Sequence, residues 1–229
     1  MASIRVLSGH GRYTDPWHPF AEGSAAIREI LEAVGHRVEV RDDDVSCLQE
    51  LDALDLVVVN LGGNVEVELE HDDEWAAAQH EFGQWIRGGG RVLAVHTAAN
   101  SFPDWPEWPA LLGGQWVRGT SWHPKRCIAT FGKAPGAEDY PVWTGLDVVT
   151  VYDERYSDLV VHEGSTPLIR HELSEEWQVM GWAHGDNVIY DGMGHDARSY
   201  SSPSHRKFLI NEVDLSLIHI SEPTRLRRI

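Results

Sequence analysis

The chain has 229 residues, with 19 Lys and Arg against 36 Asp and Glu for a net charge of −17, and 42% of it is hydrophobic. So acidic a chain is poorly suited to nucleic acid, whose binding needs cations set against phosphates, while its apolar fraction suffices for a buried core. No apolar stretch nears the roughly 20 residues of a membrane span.

The opening residues lead straight into strand-like sequence, so no leader is expected and the expected location is the cytoplasm. Cys47 and Cys127 are too few for a disulfide framework or a structural zinc ribbon. Thirteen histidines and ten tryptophans are the unusual part of the composition.

Strands and helices alternate through the first half. Residues 4–7 form a short apolar run, and Ile27, Ile30, Leu31 and Val34 then make a helical stripe that stops at Gly35. Residues 37–41 alternate as a strand, a short helix is predicted near 47–53, and residues 56–59 read as a fully buried strand. Trp75, Ala78, Phe82, Trp85 and Ile86 mark the next helix, closed by Gly88-Gly89-Gly90 before a buried strand at 91–95. Repeated βαβ units give a parallel sheet with helices on both faces.

Short strands follow at 126–131, 148–152, 167–171, 177–183 and 188–190, the last two joined by a two-residue turn at Gly185-Asp186. A closing helix is predicted over 204–213. Residues 215–229 (LSLIHISEPTRLRRI) turn abruptly basic and lack a period, and they read as a non-native tail derived from adapter or vector sequence. One domain over 1–214 is the expectation.

The segment Arg91-Val92-Leu93-Ala94-Val95-His96-Thr97-Ala98-Ala99-Asn100 has the form of a sharp strand-to-helix elbow. Such a turn closes only if the residues two before and two after its apex are small, and here these are Ala94 and Ala98 around His96. An apex there lies at the carboxyl end of a strand, where open α/β sheets bind ligands. The alternative is that His96 merely ends a strand and bonds a nearby carbonyl. Neither cysteine occupies the apex, so the thiolate of a glutamine amidotransferase is lacking.

His96-Thr97-Ala98-Ala99-Asn100-Ser101-Phe102, Leu111-Leu112-Gly113-Gly114 and Gly119-Thr120-Ser121-Trp122-His123-Pro124 occur in that order. Asp153-Glu154-Arg155-Tyr156, Trp182-Ala183-His184-Gly185 and Tyr190-Asp191-Gly192-Met193-Gly194-His195-Asp196 come after them. Together they resemble the ThuA-like (trehalose-utilisation) family of the class I glutamine amidotransferase-like superfamily. The resemblance implies a flavodoxin-like three-layer α/β sandwich, with a mainly parallel central sheet and added short strands in the C-terminal half. It also implies disaccharide catabolism, on trehalose-like sugars or their keto derivatives. Tyr140 departs from the family pattern, which has a histidine there, and receives no catalytic role.

His10 and Asp15-Pro16-Trp17-His18 follow the first strand, Asn60 the third, Glu154 the strand at 148–152 and His195 the last one. The expected catalytic residues are His96, Glu154 and His195. Trp17, His18, Asn60, Trp122, His123, Tyr156 and His184 are the expected substrate-binding residues. Two chemistries stay open: a Zn²⁺ or other divalent ion held by His18, His96 and His195, or direct acid-base work by His96 and Glu154. His10 and His18 have a simpler role available as loop anchors, His36 as a cap for helix carbonyls, and Asp42-Asp43-Asp44 as a polar loop. The tryptophans near the elbow are read first as core.

The function expected is an enzyme that hydrolyses or isomerises a disaccharide derivative. Its competitor is a non-catalytic carbohydrate-binding or accessory protein on a degenerate amidotransferase fold. The expected partner is a small-molecule carbohydrate, with no nucleic acid and no membrane, and a homo-oligomer is left open.

Overall fold

The computed structural model describes residues 1–63 and 68–218. Among the described residues nine strands form one sheet in the order β2-β1-β3-β4-β11-β10-β9-β6-β7. Its first five are β1 (Ser3–Ser8), β2 (Arg37–Asp42), β3 (Leu56–Asn60), β4 (Val92–Val95) and β11 (Val188–Asp191), all parallel. The remaining four, β10 (Glu176–His184), β9 (Ser165–Leu173), β6 (Cys127–Lys133) and β7 (Val148–Asp153), are antiparallel to their neighbours. Two short strands, β5 (Gly114–Gln115) and β8 (Val160–Val161), pair apart from this sheet.

The three layers follow from the pleat. Alternate strand residues point to opposite faces, so Leu56, Val58, Leu93 and Val95 join one apolar cluster while Val57, Val59, Val92 and Ala94 join another. The first cluster is closed by Ile27, Ile30 and Leu31 of α1 (Phe20–Ala33) and by Phe208, Leu209 and Val213 of α4 (Pro203–Ile218). The second is closed by Trp75, Phe82 and Ile86 of α2 (Asp73–Arg87) and by Trp108 and Leu112 of α3 (Trp108–Leu112). With both faces covered, β3 and β4 are buried along their whole length, as a central parallel strand must be. In β7 every second residue is exposed, because helix covers only one of its faces. Among the described residues no helix is long and apolar enough to cross a membrane.

Three local expectations change. The segment near 47–53 forms two 3₁₀ turns, Val45–Leu48 and Leu51–Ala53, in place of a helix. The β10–β11 turn holds three residues, since His184 pairs with Val188. The closing helix does not stop at 213. Leu209, Val213 and Leu217 continue one stripe at intervals of four, Leu215 and Leu217 pack on the core, and Ser216 is buried. The period that carries residues 215–217 begins upstream, so the tail read alone shows none. Residues 219–229 lie outside the described residues. His36 caps the end of α1 as expected, its backbone N–H bonding the Leu31 carbonyl at 3.1 Å, while its Nδ1 accepts the Ala2 N–H at 3.3 Å.

Two measurements test this packing. A chain ending at Ile218 should be about 1–3 kcal/mol more stable to urea than one ending at Asp214, from partial burial of two leucines; equal midpoints would show that residues 215–218 contribute nothing. The second concerns Glu212 on α4, whose buried carboxyl oxygens meet no hydrogen-bonding group among the described residues. Burial, with Asp191 nearby, raises its pKa well above the ordinary 4.5. Below 4.5 folded and unfolded chains are equally protonated there; above it only the unfolded chain ionises, so stability falls as pH rises toward the folded-state value. Glu212→Gln should therefore gain on the wild type above that pH, by up to ~1.4 kcal/mol per pH unit. A gap independent of pH would mean that Glu212 ionises freely in the fold.

Candidate functional site

The elbow is present, and its apex is strained. His96 directly follows β4 with φ of +47°, a left-handed conformation unfavourable for a side chain with a Cβ. The surroundings hold it there. Tyr190 Oη donates to the His96 carbonyl at 2.8 Å, and the Thr97 and Ser101 hydroxyls both bond the Leu61 carbonyl. The chain leaves the apex as a 3₁₀ turn, His96–Asn100, where a full helix was expected.

The backbone also decides the state of the ring. His96 Nδ1 stands 2.7 Å from the Gly192 carbonyl, which can only accept, so Nδ1 carries a proton. In the neutral ring Nε2 is then a bare lone pair, and the Tyr156 hydroxyl reaches it at 2.9 Å. Burial alone would lower the pKa of His96, but Glu154 and Asp153 outweigh it and raise the value.

Glu154 is only 6% exposed, with Oε2 3.4 Å from His96 Nε2 and Oε1 3.2 Å from His195 Nδ1. Burial opposes its charge, yet the neighbouring His195 and His96 rings outweigh it and hold the carboxyl well below its usual range. Both residues are placed by Asp153. This fully buried carboxylate accepts the backbone N–H groups of Glu154 at 2.8 Å, Gly194 at 2.8 Å and His195 at 3.3 Å, together with the Ser199 hydroxyl. Gly194 is required for this approach: its φ is +119°, and a Cβ there would lie 2.5 Å from Tyr200 Oη.

His18 enters from the loop after β1. Its Nδ1 lies 2.7 Å from Asp15, whose carboxylate also accepts the backbone N–H groups of Trp17 and His18. The imidazole centre is 4.5 Å from that of His195 and 5.1 Å from that of His96, so His18 is more than a loop anchor. That anchoring belongs to Asp43 in the polar loop after β2, a buried acceptor for the N–H groups of His10, Gly11 and Tyr13. His18, His96, Glu154 and His195 each offer one potential ligand atom, all within 4.8 Å of one another.

Above this cluster opens a cleft of ≈ 620 Å³, within the ~300–1,000 Å³ usual for small-molecule sites. Trp17, His18, His123, Glu154, Tyr156 and His195 line it as expected, and His96 lies beneath, behind Tyr156. Three expected residues do not belong. Asn60 is buried and donates to the Phe20 carbonyl and Ser24 Oγ, tying β3 to α1. Trp122 turns outward, with Nε1 bonded to Asp158. His184 ends an antiparallel strand, so it sits at the opposite edge of the sheet, bonded to Ser165.

Asp15, Asp153, Asn100, Trp116 and Arg126 were missed as site residues. Asp153 precedes Glu154 in the motif that carries the family resemblance, and that adjacency was an available signal. Arg126 is already paired with Asp196 at 2.7 Å. Trp105 and Trp108 belong to the core, as first read. Cys47 is buried, which pushes its thiol up to about 12, and Cys127 lies on β6 away from the cleft.

Comparison with known proteins agrees with this architecture. A ThuA-like protein from Parabacteroides merdae superposes with a TM-score of 0.74 at 15% identity, over 97% of this chain and 92% of that one. One from Bacteroides uniformis gives 0.70 at 14% identity, over 93% and 90%. A glutamine amidotransferase from Thermotoga maritima gives 0.51 at 13%, over 96% and 86%. At these identities the likeness is one of fold. No curated protein sequence matches. The family described as trehalose utilisation, ThuA, matches residues 5–214, and the chain belongs to it.

Proposed function

We propose that the cleft is the active centre of an enzyme of disaccharide catabolism, acting on a trehalose-like sugar or its keto derivative. Family membership points to carbohydrate metabolism. The observation that carries the catalytic reading is the Tyr156–His96 pair: a hydroxyl at the cleft wall bonded at 2.9 Å to a ring nitrogen whose tautomer is set from behind.

That pair suits proton abstraction. A keto group makes the C–H on the neighbouring sugar carbon acidic. As Tyr156 Oη takes this proton, its own passes to His96 Nε2, leaving an enolate and an imidazolium. Glu154 supplies the fixed negative charge that stabilises the imidazolium. The enolate then reprotonates elsewhere, which is isomerisation, or expels a leaving group on the adjacent carbon, which is elimination; water adding to the eliminated product completes a net hydrolysis. Exposed Trp17 offers an aromatic face to a sugar ring, and His123 stands at the rim, 3.6 Å from Glu154.

Exchange of sugar C–H for deuterium from solvent reads the first step alone. With a keto-disaccharide, the wild type should exchange the proton beside the carbonyl, and Tyr156→Phe and His96→Ala should each slow this by about 10²–10⁴-fold. Sugar that binds without exchanging would make the protein a binding module. Trp17→Ala should weaken sugar binding about tenfold with turnover of bound sugar retained, as loss of one stacking face predicts. An unchanged dissociation constant would remove Trp17 from the site.

A further inference from the structure

We infer that the floor of the cleft is a binding site for one divalent transition-metal ion, held by His18 Nε2, His195 Nδ1 and the Glu154 carboxylate. The inference rests on reading this cleft as an active centre and adds to it a cation that the Tyr156–His96 pair does not require.

The first argument is the state of the donor atoms. His18 Nδ1 faces the Asp15 carboxylate, so it carries the proton and Nε2 is left as a lone pair. That Nε2 is buried and meets no hydrogen-bonding group among the described residues. His195 Nδ1 is also buried and without a hydrogen-bond partner among the described residues, 3.2 Å from Glu154 Oε1 but not aligned to bond it. Two orphaned nitrogens beside a carboxylate are costly to bury without a partner. A cation satisfies all three.

The second argument is spacing. Tetrahedral bonds of ~2.0–2.1 Å set ligand atoms about 3.4 Å apart. His195 Nδ1 and Glu154 Oε1 already stand at 3.2 Å, and the whole group of donors lies within 4.8 Å. Two imidazoles and one carboxylate suit zinc and its neighbours better than magnesium or calcium, which favour all-oxygen sites.

The third is the support behind the ligands. Asp15 fixes the His18 ring from its far side, the arrangement that commonly orients a metal-bound histidine. Asp153 fixes the backbones of the other two ligands, Glu154 and His195. His96 Nε2 is taken by Tyr156 and is left out of the ligand set, against the sequence expectation that included it. Three protein ligands leave a coordination position facing the cleft, where a sugar carbonyl or hydroxyl oxygen can bind.

The test is cation binding by the whole chain after dialysis against a chelator. Co²⁺ titration should give visible absorption bands that saturate at one equivalent per chain and are abolished by Zn²⁺. His18→Ala and Glu154→Gln should each weaken Zn²⁺ binding by more than 100-fold, and Asp15→Asn by about 10–100-fold. His96→Ala and His184→Ala should retain full stoichiometry. Thermal unfolding of each variant shows whether it folds, and Asp15→Asn, which removes no ligand, serves if His18→Ala does not. A wild-type chain without a stoichiometric Co²⁺ site overturns the inference, as does binding that survives both His18→Ala and Glu154→Gln. Loss of binding in His96→Ala overturns the three-ligand set. A chain that binds Zn²⁺ but no sugar keeps the metal site and refutes the carbohydrate reading. One that exchanges sugar protons yet binds no Zn²⁺ does the reverse.

Discussion

Asp153 is the residue on which the site depends. It ends β7 at the edge of the sheet, yet it holds the loop that follows β11, four places away in strand order. The sheet permits this because β6 and β9 pair over only two positions, Gly132 with Arg170 and Lys133 with Ile169. Beyond those pairs the segment after Asp153 is held by His171, whose Nε2 bonds the Tyr156 carbonyl at 2.8 Å. The buried charge is answered by three N–H groups and a hydroxyl, so it is stabilised where an unpaired carboxylate would not be. Through Ser199 the network continues to His205 and Asp191, which in turn holds the Met193 N–H. The network centred on Asp153 thus places Glu154 and His195, and His171 separately holds Tyr156.

The second determinant is the strained turn at His96. A left-handed histidine persists only where its neighbours over-determine it, and here the Tyr190 hydroxyl and the Gly192 carbonyl do so from β11 and its loop. The same carbonyl that fixes the ring also fixes its tautomer. Strain and function therefore have one cause: the chain at and just past the end of β11 turns the Nε2 lone pair toward Tyr156 at the cleft wall.

Much of this was legible in the sequence, for identifiable reasons. The parallel half announces itself because buried strands and amphipathic helices leave strong local patterns, and the elbow shows as Ala94 and Ala98 around His96. Glu154, Tyr156, His123 and His195 came through motifs rather than periodicity. His184 was misplaced because a motif does not reveal strand direction, and an antiparallel β10 ends at the wrong edge. Asn60 follows a parallel strand to the correct rim, but its short side chain turns inward to α1. Asp153 looks like any strand-end carboxylate until the long-range contacts are known. The last turn of α4 was lost because its stripe starts before the change in composition that drew attention to it.

The account rests on two imidazoles with bare Nε2 atoms, that of His18 at the cleft floor and that of His96 against the Tyr156 hydroxyl, and nitrogen-15 NMR of the histidine side chains tests this most directly. At alkaline pH, in metal-free protein, His18 and His96 should both show the protonated-Nδ1 tautomer, with Nε2 shifts typical of an unprotonated nitrogen. Finding both rings protonated at Nε2 would turn the lone pairs away from Tyr156 and from the cation site, and would contradict the account.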